Sequence, residues 1–118
     1  MPRIEVDIGM EDGVAVVTPR GELDVAAAPA LEDALAEATA QAGLHGIVID
    51  LSQLEFMDSS GLRAVVLADQ RLGEQGVRFA LVRGGEPVHR VFELTRMTER
   101  LTWVAAPADL LPDAEEHR

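Results

Sequence analysis

The spacing of hydrophobic residues predicts an opening pair of strands. Apolar and polar residues alternate strictly over residues 3–8, which is typical of a strand covered on one face. Residues 9–13 predict a turn, and the β-branched run over residues 14–18 predicts a second strand that ends at Pro19 and Gly21. The two strands are close enough in sequence to pair as an antiparallel hairpin.

Further along, the apolar residues recur at the spacing of a helix. A first helix is predicted from Pro29, which suits a first helical turn, to Gly43, which ends it. Its apolar positions are Leu31, Leu35, Ala38 and Ala42. Residues 46–50 are an apolar run too short for a helix, and they predict a strand buried on both faces at the centre of the sheet. Residues 53–56 predict a loop.

Two more helices and two more strands complete the pattern. The second helix is predicted to begin at the pair Ser59 and Ser60, and the third at Pro87. Their apolar stripes are Leu62, Val65, Val66, Ala68 and Leu72 in the second helix and Val88, Val91, Phe92 and Thr95 in the third. Short strands are predicted over residues 77–82 and 101–105.

The order of these elements predicts a single α/β domain. Strands that alternate with helices after an opening hairpin favour a mixed β-sheet of about five strands with three to four helices. A chain of 118 residues has room for one such domain. We expect the domain to span residues 1–112, with at most a helical turn over residues 108–111, and residues 113–118 to be a frayed acidic tail.

The charge of the chain narrows the classes of partner. The formal net charge is -11, and Asp and Glu are spread along most of the sequence. Such a surface repels nucleic acid and anionic membranes, so we predict neither as a direct partner and expect a protein with a basic or mixed-charge contact face. Cysteine is absent, which excludes disulfides and thiolate metal sites. No secretory signal pattern and no apolar run of about 20 residues is present, which predicts a cytoplasmic location.

One local cluster could carry chemistry: Asp58, Ser59, Ser60 and Gly61. It lies where a helix begins, and the free N–H groups and positive dipole end of a helix accommodate anions such as a phosphoryl group. The alternative is a plain N-cap, because Asp and Ser side chains accept hydrogen bonds from those N–H groups. Local features leave both interpretations open, and capping is the more frequent of the two.

A nucleophilic serine at Ser59 or Ser60 is a further alternative, since some hydrolases place a Ser between a strand and a helix in the spacing G-x-S-x-G. The first glycine of that spacing is missing here. None of the three histidines, His45, His89 and His117, has an evident orienting carboxylate, so we predict surface or helix-face roles for them. Acidic residues adjacent in sequence diverge on a helix, so no metal site is predicted. No nucleotide-binding glycine motif is present.

Asp24 is the second acidic residue of interest. It follows the second predicted strand and precedes the first helix, where Asp is a common turn former. Strand-to-helix connections gather at one end of a sheet. A functional role for Asp24 therefore depends on whether the fold brings it near Asp58.

Three segments, in order along the chain, carry a resemblance to a known family. They are Gly21-Glu22-Leu23-Asp24, residues 47–52 with the sequence IVIDLS, and residues 56–62 with the sequence FMDSSGL. Residues 88–94 add a looser match. The chain resembles the STAS domain, in particular the stand-alone anti-sigma factor antagonists of bacteria. It departs from the family pattern after Leu94, where the family often has Gly, and at Pro112, which cuts the terminal helix short.

The resemblance implies a partner switch without catalysis and without a cofactor. The unphosphorylated protein would bind an anti-sigma factor and thereby free a sigma factor. Ser59 falls on the family's phosphoacceptor. The anti-sigma factor would phosphorylate it as an ATP-dependent serine kinase, and a PP2C-type phosphatase would remove the phosphate. Asp24, Asp58, Ser60 and Gly61 fall on the partner-facing surface. The alternative within the same fold is a STAS module of another assembly, such as a stressosome-like scaffold or a small-ligand sensor.

Overall fold

The computed structural model describes residues 4–110, which form a mixed α/β domain. The strands are β1 (Ile4–Glu11), β2 (Val14–Leu23), β3 (Gly46–Asp50), β4 (Leu54–Met57), β5 (Arg78–Val82) and β6 (Trp103–Val104), and the helices are α1 (Ala28–Thr39), α2 (Ser59–Glu74) and α3 (Glu86–Leu94). Six strands form a single sheet in the order β1-β2-β3-β5-β6, with β4 paired to β2 beside this path. The predicted fold class is confirmed. The predicted tail over residues 113–118 lies outside the described residues.

β1 and β2 form the predicted antiparallel hairpin. Its turn consists of Asp12 and Gly13, whose φ angles of 52° and 88° lie in the left-handed region that two-residue hairpin turns use. The predicted turn over residues 9–13 is therefore too long, because β1 stays paired with β2 up to Glu11.

β2 runs further than its sequence pattern indicates. It continues through Pro19 and Gly21 to Leu23, so the predicted end of this strand is wrong. Residues 14–17 pair with β3 and residues 21–23 pair with β4, and Pro19 lies between these two parallel ladders. A proline, which has no N–H to donate, is tolerated there because neither parallel neighbour pairs with it.

β3 is the central strand of the sheet, as predicted, and lies between β2 and β5. Ile47, Val48 and Ile49 are fully buried. Because side chains alternate along a strand, Ile47 and Ile49 enter the main core under the helices, whereas Val48 lies on the opposite face. That second face has its own small cluster, to which Leu110 contributes from a 3-10 helix over Pro107–Leu110.

β4 occupies most of the segment that was predicted as a loop. Leu51–Gln53 is a 3-10 helix, in which the Asp50 side chain accepts a hydrogen bond from the N–H of Ser52 at 2.9 Å. Leu54–Met57 then pairs in parallel with the end of β2. Buried and exposed residues do not alternate in this strand, so no period-2 pattern marks it in the sequence. This segment is a strand only because it pairs with β2.

The helices begin at or next to their predicted positions. α2 begins at Ser59 as predicted, and α3 begins one residue before Pro87. α1 ends at Thr39 and not at Gly43. Residues 40–43 are all exposed, so a further helical turn, including the predicted apolar position Ala42, would have no core to cover.

His89 lies on a face of α3, but that face is buried and not at the surface. The residue is only 8% exposed. Its ring lies edge-on to the ring of Trp103, with the ring centroids 5.0 Å apart. Trp103 comes from β6, so this burial depends on tertiary packing and not on the pattern within α3. His45 is exposed, in line with the predicted surface role, and His117 lies outside the described residues.

Candidate functional site

The ends of β2 and β4 bring two of the predicted site residues side by side. β2 and β4 are parallel, with Leu23 opposite Met57 in the ladder. Asp24 and Asp58 directly follow this pair, and the backbone N–H of Asp58 donates to the carbonyl oxygen of Leu23 at 3.3 Å. Asp24 therefore lies near Asp58, which is the condition set above for a functional role of Asp24.

Asp58 is the N-cap of α2. Its backbone is extended, and its Oδ1 accepts hydrogen bonds from the N–H groups of Ser60 at 2.9 Å and Gly61 at 3.2 Å. These bonds satisfy two N–H groups that would otherwise have no helical partner, and such a cap contributes about 1 kcal/mol to stability. The capping interpretation of the cluster therefore applies to Asp58.

Ser59 is left outside this cap. It is the first residue of α2 and is exposed, and its hydroxyl makes no hydrogen bond within residues 4–110. The positive end of the helix dipole lies at this position, so added negative charge is tolerated there. Ser59 thus presents a free hydroxyl at the surface, while half-buried Ser60 lies behind it in the first turn.

Gly61 is buried beneath this turn. A Cβ atom at this position would lie 2.7 Å from the carbonyl oxygen of Leu23 and 2.7 Å from Cγ of Met57, closer than real Cβ contacts. Only glycine lets the first turn of α2 approach the ends of β2 and β4 this closely. A contribution of Gly61 to a partner surface would therefore be indirect, through the position that it gives to Ser59 and Ser60.

Asp24 holds the connection from β2 to α1. Its carbonyl oxygen accepts hydrogen bonds from the N–H groups of Ala27 at 3.1 Å and Ala28 at 2.9 Å. Its Oδ1 also accepts from the N–H of Ala27 at 3.0 Å. The turn-forming role predicted for Asp24 is confirmed, and its half-buried carboxylate is fixed in direction by the bond from Ala27.

Two carboxylates lie at the ends of β2 and β4, where α2 begins, and exposed Arg63 follows Ser59 one helical turn later. These are Asp24 and Asp58, and neither has an ion pair within the described part of the chain. Val25, which the sequence analysis did not single out, follows Asp24 and is 72% exposed. A valine in a turn after an Asp is the only sequence signal that could have drawn attention to it.

A serine nucleophile finds no base in this arrangement. Across residues 4–110, no hydrogen bond joins a histidine to Ser59 or Ser60. His89 packs against Trp103, and His45 lies beside the β1–β2 turn, where its backbone N–H donates to the carbonyl oxygen of Gly13 at 2.7 Å.

The described residues offer neither a metal site nor a membrane-spanning helix. Among the residues that the structure describes, no group of three or more His, Cys, Asp or Glu side chains is arranged to hold a metal ion. In that part of the chain, no helix is both long enough and apolar enough to cross a membrane.

Comparison with known proteins places the chain in a family. A model of the STAS domain matches residues 5–108. The anti-sigma-F factor antagonist RsfB of Mycobacterium tuberculosis is 37% identical over 91 residues, which cover 77% of this chain and 73% of that protein. An anti-sigma F factor antagonist of Paenibacillus polymyxa is 28% identical over 92 residues, covering 78% of this chain and 79% of that protein.

A solved structure agrees with the sequence relatives. The crystal structure of an anti-sigma factor antagonist from Mycobacterium paratuberculosis superposes with a TM-score of 0.80 at 32% identity, covering 95% of this chain and 94% of that one. The range that the STAS model matches, residues 5–108, contains both strand ends and the start of α2. The chain belongs to the STAS domain family.

Proposed function

We propose that this chain is an anti-sigma factor antagonist that binds an anti-sigma factor while Ser59 is unphosphorylated, and so frees a sigma factor. Its relatives are named as anti-sigma factor antagonists, which are regulators and not enzymes. The observation that carries the proposal is the exposed hydroxyl of Ser59, which has no hydrogen bond within residues 4–110 and lies at the helix start directly after the capping Asp58.

Phosphorylation at Ser59 would change the charge of the surface without changing the fold. A phosphoserine adds about -1.5 to -2 charge and three acceptor oxygens beside Asp58 and Asp24. In an interface shaped for a hydroxyl this charge has to be desolvated without a partner, which costs several kcal/mol, and each 1.4 kcal/mol is a tenfold loss of affinity. The partner is therefore released.

The free, phosphorylated domain stays folded for a specific reason. The cap of α2 uses the carboxylate of Asp58 and not the hydroxyl of Ser59, so modification leaves both cap hydrogen bonds in place. The helix dipole stabilises an exposed charge at this end by about 0.3–1 kcal/mol. The switch therefore acts on binding and leaves stability nearly unchanged.

The proposed cycle assigns the chemistry to the partners. The anti-sigma factor acts as a serine kinase: Ser59 Oγ forms a bond to the γ-phosphorus of ATP, the bond to the ADP oxygen breaks, and the hydroxyl proton leaves. A PP2C-type phosphatase hydrolyses the phosphoserine and restores the hydroxyl. This chain is the substrate of both reactions, has no catalytic role, binds no cofactor, and works in the cytoplasm.

Phosphopeptide mapping tests the proposal. The chain is incubated with ATP and each ATP-binding anti-sigma factor of its bacterium of origin, and Ser59→Ala is compared with Ser60→Ala. The map is simple because Ser52, Ser59 and Ser60 are the only serines. We expect phosphate on the wild type and on Ser60→Ala, and none on Ser59→Ala. Failure of every such kinase to bind or modify the wild type would reject the proposal.

A further inference from the structure

Val25 is an exposed apolar residue beside the switch serine. Four large apolar side chains are exposed within residues 4–110: Met10, Val25, Phe56 and Leu94. A single exposed valine is common on protein surfaces and needs no function by itself. The position of Val25, directly after Asp24 and at the strand end next to Asp58, gives it a more specific interest.

The turn that carries Val25 is held in one conformation. Three hydrogen bonds close it, two to the carbonyl oxygen and one to the side chain of Asp24, all donated by the N–H groups of Ala27 and Ala28. A side chain on such a turn is already ordered before it meets a partner. Binding through it therefore costs less conformational entropy than binding through a mobile loop.

Val25 and Ser59 belong to the same edge of the domain. Leu23 and Met57 are paired, and from there one connection leads through Val25 to α1 while the other leads directly into α2 at Ser59. α1 and α2 contact each other and bury residues in the same core, so both connections lead to the side of the sheet that the helices cover.

Phe56, the exposed apolar residue near Ser59 in sequence, lies on a different face from Val25. It is 46% exposed. The ladder of β4 with β2 is irregular between Leu54 and Phe56 but regular at Phe56 and Met57, so the Phe56 side chain lies on the face of β4 opposite Met57, which is buried in the core under the helices. Phe56 therefore points away from the side on which α2 begins, and the surface around Ser59 has Val25 as its exposed apolar residue.

We propose that Val25 is the apolar anchor of the surface around Ser59, received by an apolar socket of the partner that is bordered by Arg or Lys side chains. This inference rests on the proposed function, and the partner is the anti-sigma factor that this chain binds. The socket follows from the exposed valine, and the basic border follows from Asp24, Asp58 and the net charge of -11. The valine contributes affinity whether or not Ser59 is phosphorylated, while a phosphate on Ser59 opposes binding.

Two equally exposed residues allow a matched test. Val25 is 72% exposed and Leu94, at the end of α3, is 74% exposed, so replacing the larger leucine by serine removes at least as much exposed apolar surface as replacing the valine. Dissociation constants are measured by calorimetry for Val25→Ser, Val25→Ile and Leu94→Ser with each anti-sigma factor that phosphorylates Ser59. Melting curves of the free variants check that all three remain folded.

The expected result is a selective loss of affinity. Val25→Ser should weaken binding at least about tenfold, Val25→Ile should stay within about threefold of the wild type, and Leu94→Ser should stay within about twofold. Equal affinity of Val25→Ser and the wild type would overturn the anchor while leaving the proposed function intact, as would an equal loss in Leu94→Ser. Absence of any binding by the wild type would overturn both.

Discussion

Replacing Gly61 by alanine tests the close approach of α2 to the strand ends. The added Cβ would lie 2.7 Å from the carbonyl oxygen of Leu23, which belongs to the backbone of β2 and cannot move alone. The contact with Cγ of Met57, also at 2.7 Å, involves a flexible side chain and is easier to relieve. The first turn of α2 therefore has to shift outward, and Ser59 with it.

The magnitude follows from two opposing effects. Overpacking of a close-packed core costs about 1–3 kcal/mol. Alanine in place of glycine favours a helix by up to about 1 kcal/mol. The expected net result for Gly61→Ala is a loss of about 1–2 kcal/mol in the free energy of unfolding.

Gly73 in the same helix is the matched control. A Cβ there would meet no atom within 4 Å, so Gly73→Ala keeps only the helix-forming effect and should stabilise the protein by about 0.5 kcal/mol. Urea unfolding followed by circular dichroism compares both variants with the wild type. A midpoint of Gly61→Ala equal to or above that of the wild type, with an unchanged slope, would refute the claim that this approach requires glycine.

Three further substitutions address the switch and the turns. Ser59→Asp should bind the anti-sigma factor at least about tenfold more weakly in calorimetry while melting near the wild-type temperature, because the cap of α2 is intact; equally tight binding would contradict the switch. Asp58→Ala should lose about 1 kcal/mol in urea unfolding through the lost cap, and an unchanged midpoint would show that the two cap bonds contribute nothing. Arg96 has a left-handed φ of 61°, so Arg96→Gly should raise the unfolding free energy by about 0.5 kcal/mol, and a lowered midpoint would show that its side chain offsets this strain.

Arg96 also explains the departure from the family pattern after Leu94. The chain leaves α3 and turns at Arg96 into a 3-10 helix over Met97–Glu99. A left-handed residue at such a helix end is where glycine is favoured, since other residues lack its conformational freedom. The sequence shows the missing glycine, and the structure shows that the turn forms without it.

Local patterns were sufficient wherever a segment carries its own periodicity. The apolar run of β3 predicted a central buried strand, and the Ser59 start of α2 followed from a polar cluster before an apolar stripe. The same local signal identified Asp58 as a candidate cap, because the cap bonds span only two and three residues.

The amino-acid sequence by itself thus determined the types of most elements, the mixed α/β fold class and the serine cluster at a helix start. Tertiary structure alone decided that β2 extends through Pro19, that Leu54–Met57 is a strand, that His89 is buried, and that Asp24 adjoins Asp58. The physical reason is that periodicity reports only which face of its own segment a residue occupies. Which segments become neighbours depends on hydrogen-bond ladders and core packing between parts of the chain that are far apart in sequence.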